Sequence, residues 1–332
     1  MLDPFVGGGT TLVEAAVARR RAVGCDLNSL ATFVSRVKTT ALDPSEVQAV
    51  RAWVPEAIAS TGYRRPRDEI ASALPGIEVR NLQTPRARAI TKAIAAILNE
   101  VPLLPTEPAR DFARCMVLRC GQWAFDGRRV APSVSAFRAR LDWMAEDMLS
   151  GMNEYLAALS TADAPQVHQT DARELEKRWG AISSSKASLI VTSPPYAGVH
   201  VLYHRWQVDG RRETSAPYWI ADCADGQAGS FYTLGSRTPT GEQRYFDGMT
   251  QAYRSLRPCC EKGAYVVQLV AFSNPERQLD RYLEAMESAG FEEATAGPAV
   301  RHWRDVPNRR WYAMQMGPTP ASRELVLVHR AR

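Results

Sequence analysis

The chain has 332 residues, of which 45% are hydrophobic and 23% charged, a composition typical of a globular protein. This length is enough for one large domain, or for one domain with a substantial insertion. No apolar run approaches the ~20 residues that a membrane span needs, and the N-terminus lacks the layout of a signal peptide. The net charge of +5 mildly favours a polyanionic partner.

The cysteines favour a reduced, cytoplasmic protein. None of the six stands in a CxxC pair, so a structural zinc site is not expected and no metal is assigned. The six are Cys25, Cys115, Cys120, Cys223, Cys259 and Cys260.

The first 40 residues predict a turn, a helix, a strand and a second helix. Residues 10–20 carry apolar side chains at helical spacing, and residues 21–27, "RAVGCDL", form a short apolar run that ends in an acid. We take residues 1–42 as the first part of a cofactor-binding domain.

Residues 43–162 have a different character and predict a helical insertion. Three segments, residues 89–101, 111–125 and 134–159, show helical periodicity and few β-branched runs. Proline-rich turns such as "PLLPTEP" separate them.

An α/β pattern resumes and gives residues 163–332 as the remainder of the first domain. The runs "QVHQTDA", "ASLIVTSPP", "GAYVVQLVAF" and "SRELVLVHR" predict strands, with helices at 245–260 and 278–291. Strands alternating with helices predict an α/β fold with a mostly parallel, doubly wound sheet covered on both faces. Residues 197–243 lack periodicity and predict long target-binding loops.

A glycine-rich turn, "DPFVGGGTT", opens the chain. Its three glycines permit backbone torsions and close approaches that side chains forbid, and Thr10 or Thr11 can cap the next helix. Asp3 is placed to accept a hydrogen bond from an ammonium group. The turn lacks the GKS/GKT ending of a P-loop, which disfavours a nucleoside triphosphate. A plain glycine turn is the alternative interpretation.

Two further acids are predicted at strand ends. Asp26, in "VGCDLN", follows the glycine turn at the distance at which an acid can bind ribose hydroxyls. Asp171, in "HQTDARELE", has the same position after a later strand, where it and Ala172 would lie beside an adenine ring. Each acid could instead cap the helix that follows it.

A fourth motif, "TSPPY", follows an apolar strand. Pro194 and Pro195 fix the backbone and remove two amide donors, so that their carbonyls can be directed into a cleft. Ser193 adds a polar group and Tyr196 a ring on which a base can stack. Acceptor oxygens here suit an exocyclic amino group, whose nitrogen lone pair stays available for attack. A rigid Pro-Pro turn is the alternative.

In this order, "DPFVGGGTT", "VGCDLN", "TDAR" and "TSPPY" resemble the motifs of the amino-group DNA methyltransferases, which use S-adenosylmethionine to methylate cytosine N4 or adenine N6. The resemblance covers residues 1–40 and about 166 to the C-terminus, and not the helical insertion. "TSPPY" is closest to the cytosine-N4 version, since the adenine-N6 enzymes more often have aspartate or asparagine at the position of Ser193. The resemblance implies a Rossmann-like class I methyltransferase fold and double-stranded DNA as partner.

The same resemblance assigns roles to individual residues. The acid and glycines of the first motif surround the methionine end of the cofactor, Asp26 holds the ribose, Asp171 contacts the adenine, and the "SPPY" residues hold a flipped base. The implied cofactor-binding set is Asp3, Phe5, Gly7, Gly9, Thr10, Asp26, Leu27, Asp171 and Ala172, and the implied catalytic set is Ser193, Pro194, Pro195 and Tyr196.

Basic and aromatic residues fit DNA binding without a defined pattern. Arginines can meet phosphates, and rings can fill the gap that a flipped base leaves. A partly buried loop with a solvated basic edge is the alternative. The candidate residues are His204, Arg205, Trp206, Arg211, Arg212, Arg309 and Arg310.

The position of the glycine turn raises a difficulty, because only Met1 and Leu2 precede Asp3. The central strand that should aim the turn at the ligand is therefore expected to be missing. An empty central position would cost more than a domain's ~5–15 kcal/mol of stability. A truncated gene start, a second polypeptide that supplies the strand and a pocket-closing helix, or a degenerate protein would explain it.

The sequence thus predicts a cytosine-N4 DNA methyltransferase of a restriction-modification or phage-defence system. Three alternatives remain open: an adenine-N6 DNA methyltransferase, an RNA guanine-amino methyltransferase, and a non-catalytic DNA-binding or scaffold subunit with a degenerate fold.

Overall fold

The structure is a computed structural model that describes residues 1–62, 81–82, 84–159, 164–197, 205–208, 212–224, 234–235, 238–294, 301–305 and 323–332. These residues form two compact units. The first comprises Met1–Ser35, Thr161–Val201 and Gly226–Arg332, and the second comprises Arg36–Ser160 and Leu202–Asp225. None of the described helices is both long and apolar enough to cross a lipid bilayer.

The first unit contains an eight-stranded, mostly parallel sheet in the order β3-β2-β1-β4-β7-β10-β8, with β9 paired to β10. Its strands are β1 (Leu2–Asp3), β2 (Val23–Asp26), β3 (Gln166–Gln169), β4 (Ala187–Thr192), β7 (Cys260–Val270), β8 (Phe291–Glu293), β9 (His302–Asp305) and β10 (Arg323–Ala331). Strands β3, β2, β1, β4 and β7 run parallel, whereas β10 is antiparallel to its neighbours. The predicted α/β class with a mostly parallel sheet is therefore confirmed.

The described helices follow the predicted alternation closely. They are α1 (Thr10–Val17), α2 (Ser29–Thr39), α3 (Pro44–Ser60), α4 (Pro85–Glu100), α5 (Glu107–Phe125), α6 (Val134–Ala158), α7 (Leu175–Ile182), α8 (Ala216–Ala221), α9 (Pro239–Leu256) and α10 (Pro275–Ser288). Helix α10 is followed by Gly290 at φ +89°, a left-handed conformation that favours glycine after the end of a helix. Helix α9 ends earlier than predicted, and Cys260 already begins β7.

The central strand position is occupied, which corrects the expectation that the first strand is missing. Leu2 pairs with Val23 of β2 and with Ile190 of β4, and its side chain is fully buried. The Met1 ammonium donates to Arg21 O at 2.7 Å and extends the contact with β2. Leu2 and Asp3 pair with β2, and Leu2 also pairs with β4, at the level where the ligand-facing turn begins. The structure gives no support to the second polypeptide.

Neighbouring residues of β2 point to opposite faces of the sheet, and helices cover both faces. Cys25 belongs to the larger core, which includes residues of α7, α9 and α10. Gly24 faces the smaller core of Val6, Leu12, Ala15 and Ala22. A Cβ on Gly24 would lie 2.7 Å from both Leu12 Cδ1 and Val6 Cγ2, so the absence of a side chain at Gly24 lets these two side chains pack closely on the sheet.

The second unit is mainly helical, with α3 to α6 as its long elements. Helix α3 begins with a capping box, in which Asp43 accepts from the Glu46 amide and Glu46 accepts from the Asp43 amide. The unit also contains α8 and a hairpin of β5 (Trp206–Val208) and β6 (Arg212–Thr214). The described parts of residues 197–243 therefore include regular structure where only loops were predicted. Runs of three to six residues are too short for periodicity to reveal.

Leu2 should carry much of the stability of the first unit. We expect Leu2→Ala to lower the free energy of unfolding by about 2–5 kcal/mol, because it leaves a cavity between two strands. Val17→Ala is the matched control: Val17 ends α1 and is 39% exposed, so its loss should change stability by ~0.5 kcal/mol or less. Denaturant titration of both variants measures the difference, and equal effects would contradict a central role for Leu2.

Candidate functional site

The four sequence motifs lie after four adjacent parallel strands. "TDAR" follows β3, "VGCDLN" contains the end of β2, "DPFVGGG" follows β1 and "TSPPY" follows β4. The chain builds β2 and β3 on one side of β1 and β4 and β7 on the other, so the winding direction reverses between β1 and β4. Ligands of open α/β sheets bind at such a switch point, outside the carboxyl ends of the strands.

The glycine turn is held in a conformation that side chains would oppose. Gly7 and Gly9 have φ values of +49° and +76°. A Cβ on Gly9 would lie 2.9 Å from the Ser35 Cα, whereas a Cβ on Gly8 would meet no atom within 4 Å. The Ser35 hydroxyl donates to Gly7 O at 2.9 Å and ties the turn to α2. Two of the glycines are thus required by the backbone, and Gly8 leaves open space.

The expected cap of α1 is absent. Gly9 is the N-cap residue and no side chain caps the helix, so Thr10 is the first helical residue and is exposed. Because α1 begins directly at the turn, its first amide groups have no side-chain acceptor. Thr11 instead hydrogen-bonds to Asp3.

Asp3 is a buried acid at the end of β1. Its Oδ1 accepts from Thr192 Oγ1 at 2.6 Å and from the Phe5 amide at 3.1 Å, so the residue that ends β1 is bonded to the residue that ends β4. Burial raises the pKa of Asp3 to about 6, although the hydrogen bonds from Thr192, Thr11 and Phe5 oppose the rise. A buried carboxyl with only neutral donors is a group that a cationic ligand would stabilise in its ionised form.

Asp26 binds the glycine turn to β2. Its Oδ2 accepts from the Gly7 amide and its Oδ1 from the Asn28 amide, both at 2.9 Å. Burial raises the pKa of Asp26, and the hydrogen bonds from backbone amides oppose this. Asp26 also accepts from the Leu27 amide, so about one of the roughly four lone-pair sites of its carboxylate remains for a ligand hydroxyl. Leu27 is partly exposed, and its carbonyl accepts from Gln169 Nε2 at 3.3 Å.

Asp171 is engaged by its own neighbour. It accepts from the Arg173 amide, and its two carboxylate oxygens bind the Arg173 guanidinium at 2.6 to 3.1 Å. Burial acts to raise the pKa of Asp171, but the hydrogen bonds and charge of Arg173 outweigh it, and the pKa lies below its usual value. Ala172 beside it is buried.

A polar depression of about 440 Å³ adjoins Asp171 on the surface of the first unit. Its lining mixes acidic, basic and amide side chains, which is unlike the apolar slot that a planar ring usually occupies. The lining residues are Asp171, Arg173, Glu174, Glu176, Gln251, Arg254 and Ser255.

The "TSPPY" segment presents acceptors beyond the end of β4. The Tyr245 hydroxyl donates to Pro195 O at 2.9 Å, so this carbonyl is already engaged. Among the described residues, no hydrogen bond reaches Pro194 O. Ser193 is exposed, and its Oγ lies 3.2 Å from Leu269 O and 3.0 Å from the Tyr196 hydroxyl. Ser193 Oγ and Pro194 O are thus oxygens of this segment with acceptor capacity for a ligand.

The hydroxyl of Tyr196 belongs to a network that sequence reasoning missed. It donates to Glu324 Oε1 at 2.8 Å, and Arg304 binds Glu324 Oε2 through Nε and Nη2 at 2.9 and 2.6 Å. Glu324 is 6% exposed and is the second residue of the closing strand β10. The one available signal was an acid at the start of an apolar run, "ELVLV", which did not reveal a partner 128 residues away.

The predicted DNA-contacting residues are only partly described. His204, Arg211, Arg309 and Arg310 lie outside the described residues. Arg205 is half-buried and Arg212 is exposed on β6.

Trp206 is 1% exposed, and its ring centroid lies 6.0 Å from that of Phe125. A Cβ on Gly121 would meet Trp206 Cη2 at 2.7 Å. This ring therefore packs in the core of the second unit.

The cysteines offer no reactive thiolate. All six are unpaired, and burial raises the pKa of Cys223 to about 11 and that of each of the other five to about 12. Within the described ranges, no group of three or more histidine, cysteine or acidic residues could hold a metal ion.

Comparison with known proteins gives a short similarity. No protein-family model matches the chain. A type II methyltransferase, M.MvaI of Kocuria varians, is 40% identical over 47 residues, which are 14% of this chain. The match spans 10% of the length of that relative. A small part of the chain is therefore similar to a methyltransferase.

The two neighbouring glycines provide a test of the turn. We expect Gly9→Ala to lower the free energy of unfolding by about 1–3 kcal/mol, because its φ is positive and the new methyl group meets the Ser35 backbone. Gly8→Ala, which meets no atom, should be neutral within ~0.5 kcal/mol. Thermal or denaturant unfolding distinguishes them, and a Gly9→Ala variant as stable as Gly8→Ala would refute the geometry of the turn.

Proposed function

We propose that the chain is a Rossmann-like class I methyltransferase that transfers a methyl group from S-adenosylmethionine to the exocyclic amino group of a flipped DNA base, with cytosine N4 as the favoured target. The observation that carries the proposal is the bond between Asp3 and Thr192. It joins the end of the strand that leads into the glycine turn to the end of the strand that leads into "TSPPY".

The order of the motifs across the sheet supports this cofactor. Acids follow β3, β2 and β1 in spatial order, with "TSPPY" next in line after β4. Adjacent strands lie about 4.8 Å apart, so the three acid-bearing ends extend over about 10 Å. In this scheme the adenine lies near Asp171, the ribose at Asp26 and the methionine part at Asp3 and the glycine turn.

The residues present fit S-adenosylmethionine with one qualification. The buried Asp3 carboxyl suits a cation, Asp26 retains about one acceptor site for a hydroxyl group, and the space over Gly8 admits a close approach to the backbone. Asp171 is already bound by Arg173, so its role with the adenine is the weakest of the three. In the proposal Phe5, partly buried beside the larger core, adds an apolar surface beside the turn.

The cofactor supplies an electrophilic methyl group on a sulfonium. The chain's own residues hold the acceptor nitrogen: the amino group donates to Ser193 Oγ and Pro194 O, and the ring of Tyr196 stacks on the base. With both amino hydrogens bound, the nitrogen lone pair remains free for in-line attack. Bound S-adenosylmethionine, held by Asp3, Asp26 and the glycine turn, would supply its methyl group to this nitrogen, which would then release one proton to solvent water. Positioning supplies much of the rate.

A serine before the two prolines favours cytosine N4 over adenine N6, by resemblance to the corresponding enzymes. Double-stranded DNA as partner and a restriction-modification or phage-defence role rest on the same resemblance, with Arg205 and Arg212 as candidate phosphate contacts. Trp206 is not used, since its ring is buried.

Cofactor affinity should depend on pH through Asp3. A cation favours the ionised carboxyl, so binding releases a proton and affinity rises with pH up to about 6, the pKa of Asp3, then levels off. At pH 5 about a tenth of Asp3 is ionised, so affinity should be about tenfold weaker than at pH 7. Calorimetry at both pH values measures this, and Asp3→Asn should bind weakly at both. An affinity that is unchanged or falls with rising pH would exclude Asp3 as the cation-binding group.

Methyl transfer should be detectable in cells and depend on Tyr196. Nucleoside mass spectrometry of DNA from cells expressing the chain should find N4-methylcytosine, and Tyr196→Ala should abolish it. A stacked base is worth ~1–3 kcal/mol, and misplacement of about 1 Å costs a further ~hundredfold. Cofactor affinity of Tyr196→Ala should stay within about threefold, since Tyr196 lies outside the cofactor scheme. Detection of N6-methyladenine instead would identify adenine as the target base. An absence of any methylated nucleoside would refute the proposed activity.

A further inference from the structure

Glu324 is a buried acid at the end of the "TSPPY" network. Its Oε1 accepts from the Tyr196 hydroxyl and its Oε2 from Arg304, which forms an ion pair with it at 2.6 Å. A carboxylate is an acceptor only, so the single proton of Tyr196 must point at Glu324. Toward Ser193, the Tyr196 oxygen can then act only as an acceptor.

The direction of this proton decides what Ser193 can do. The Ser193 proton has two acceptors within reach, the Tyr196 oxygen at 3.0 Å and Leu269 O at 3.2 Å. With its proton so occupied, Ser193 Oγ faces a ligand with lone pairs only. Pro194 O beside it is also an acceptor only.

We propose that Glu324 is a positioning residue that directs the Tyr196 hydroxyl proton away from Ser193 and thereby leaves both lone pairs of Ser193 Oγ available in an acceptor-only base site. This inference rests on the proposed methyl transfer. Such a site accepts the two hydrogens of an exocyclic amino group and rejects a base that presents a carbonyl oxygen at the same place, because two acceptors would then face each other. Specificity for amino-bearing bases would therefore begin at a residue that never touches the base.

Glu324→Gln should reverse the direction of the hydrogen bond between residue 324 and the Tyr196 hydroxyl. Arg304 offers only donors, so it retains the amide oxygen, and the amide NH2 turns toward Tyr196. The Tyr196 proton then points at Ser193 and occupies one of its lone pairs. Tyr196→Phe removes the hydroxyl, so in that background the direction of the Glu324 amide no longer matters.

The test is a double-mutant cycle with tritiated S-adenosylmethionine and unmethylated plasmid DNA. We expect Glu324→Gln to lower kcat about tenfold or more with an unchanged KM for the cofactor, and Tyr196→Phe to lower it only a few-fold. The double variant should match Tyr196→Phe, so that the phenylalanine rescues Glu324→Gln. A Glu324 that only stabilises β10 would give losses that multiply, and that result would overturn the proposal.

Glu293→Gln is the matched control. Glu293 lies on β8 of the same sheet and binds Arg301 at 2.6 and 2.8 Å, as Glu324 binds Arg304. Removing its charge should leave kcat unchanged. A loss of activity equal to that of Glu324→Gln would show that any broken pair at this edge of the sheet has the same effect.

A second measurement does not need activity. The Cζ resonance of 13C-labelled tyrosine reports whether a phenol donates or accepts, and the Tyr196 signal is identified by its loss in Tyr196→Phe. It should shift upfield in Glu324→Gln and stay in place in Glu293→Gln. An unmoved resonance in Glu324→Gln would overturn the inference even in an inactive protein. Wild-type protein that transfers no methyl group, with the expected shift, would refute only the proposed function.

Discussion

One buried hydrogen bond links the two halves of the candidate site. Thr192 donates to Asp3 at 2.6 Å across adjacent strands whose partners lie 189 residues apart in the chain. It can form only because Leu2 pairs with Ile190 and brings the ends of β1 and β4 to the same level. The glycine turn and "TSPPY" leave the sheet from these two ends, so their separation is set by the sheet and not by flexible loops.

The acids of the candidate site serve the fold as well as the proposed ligand. Asp26 accepts from the Gly7 amide and so helps to shape the glycine turn. Asp3 remains buried among neutral donors, and burial raises its pKa to about 6. A cation in the site would stabilise the ionised form of the buried Asp3 carboxyl. Binding of a cationic ligand would therefore be coupled to the protonation of Asp3. Glu324 differs, because Arg304 already supplies its countercharge.

The sequence predicted those features that depend on local pattern. Apolar runs of four or more residues, such as those of β4 and β7, and the periodic helices α4 to α6 were found in the right places. The motif order could be read directly, since each motif is contiguous. The two-residue strand β1 could not, because Leu2–Asp3 carries no periodicity and its pairing is decided by β2 and β4.

Contacts between segments that are distant in the chain could not be predicted from the sequence either. The hydrogen bond between Tyr196 and Glu324 joins residues that are 128 positions apart in the chain. Nothing in the sequence around either residue indicates that the other is its partner. Trp206 lies in a basic, aromatic stretch of the sequence, which predicted a DNA contact. In the structure, Gly121 leaves space for the Trp206 ring in a buried core. Burial of an aromatic ring depends on such tertiary contacts, which composition does not encode.

The central claim is that the carboxyl ends of β3, β2, β1 and β4 form one site, with a cofactor across the first three and a base at the fourth. A crystal structure of the protein with S-adenosylhomocysteine tests it most directly. The account predicts the amino acid part of the ligand beside Asp3 and the glycine turn, the ribose hydroxyls at Asp26, and the sulfur directed toward Ser193 and Pro194. Ligand density away from these strand ends, or with the adenine at the glycine turn, would contradict it.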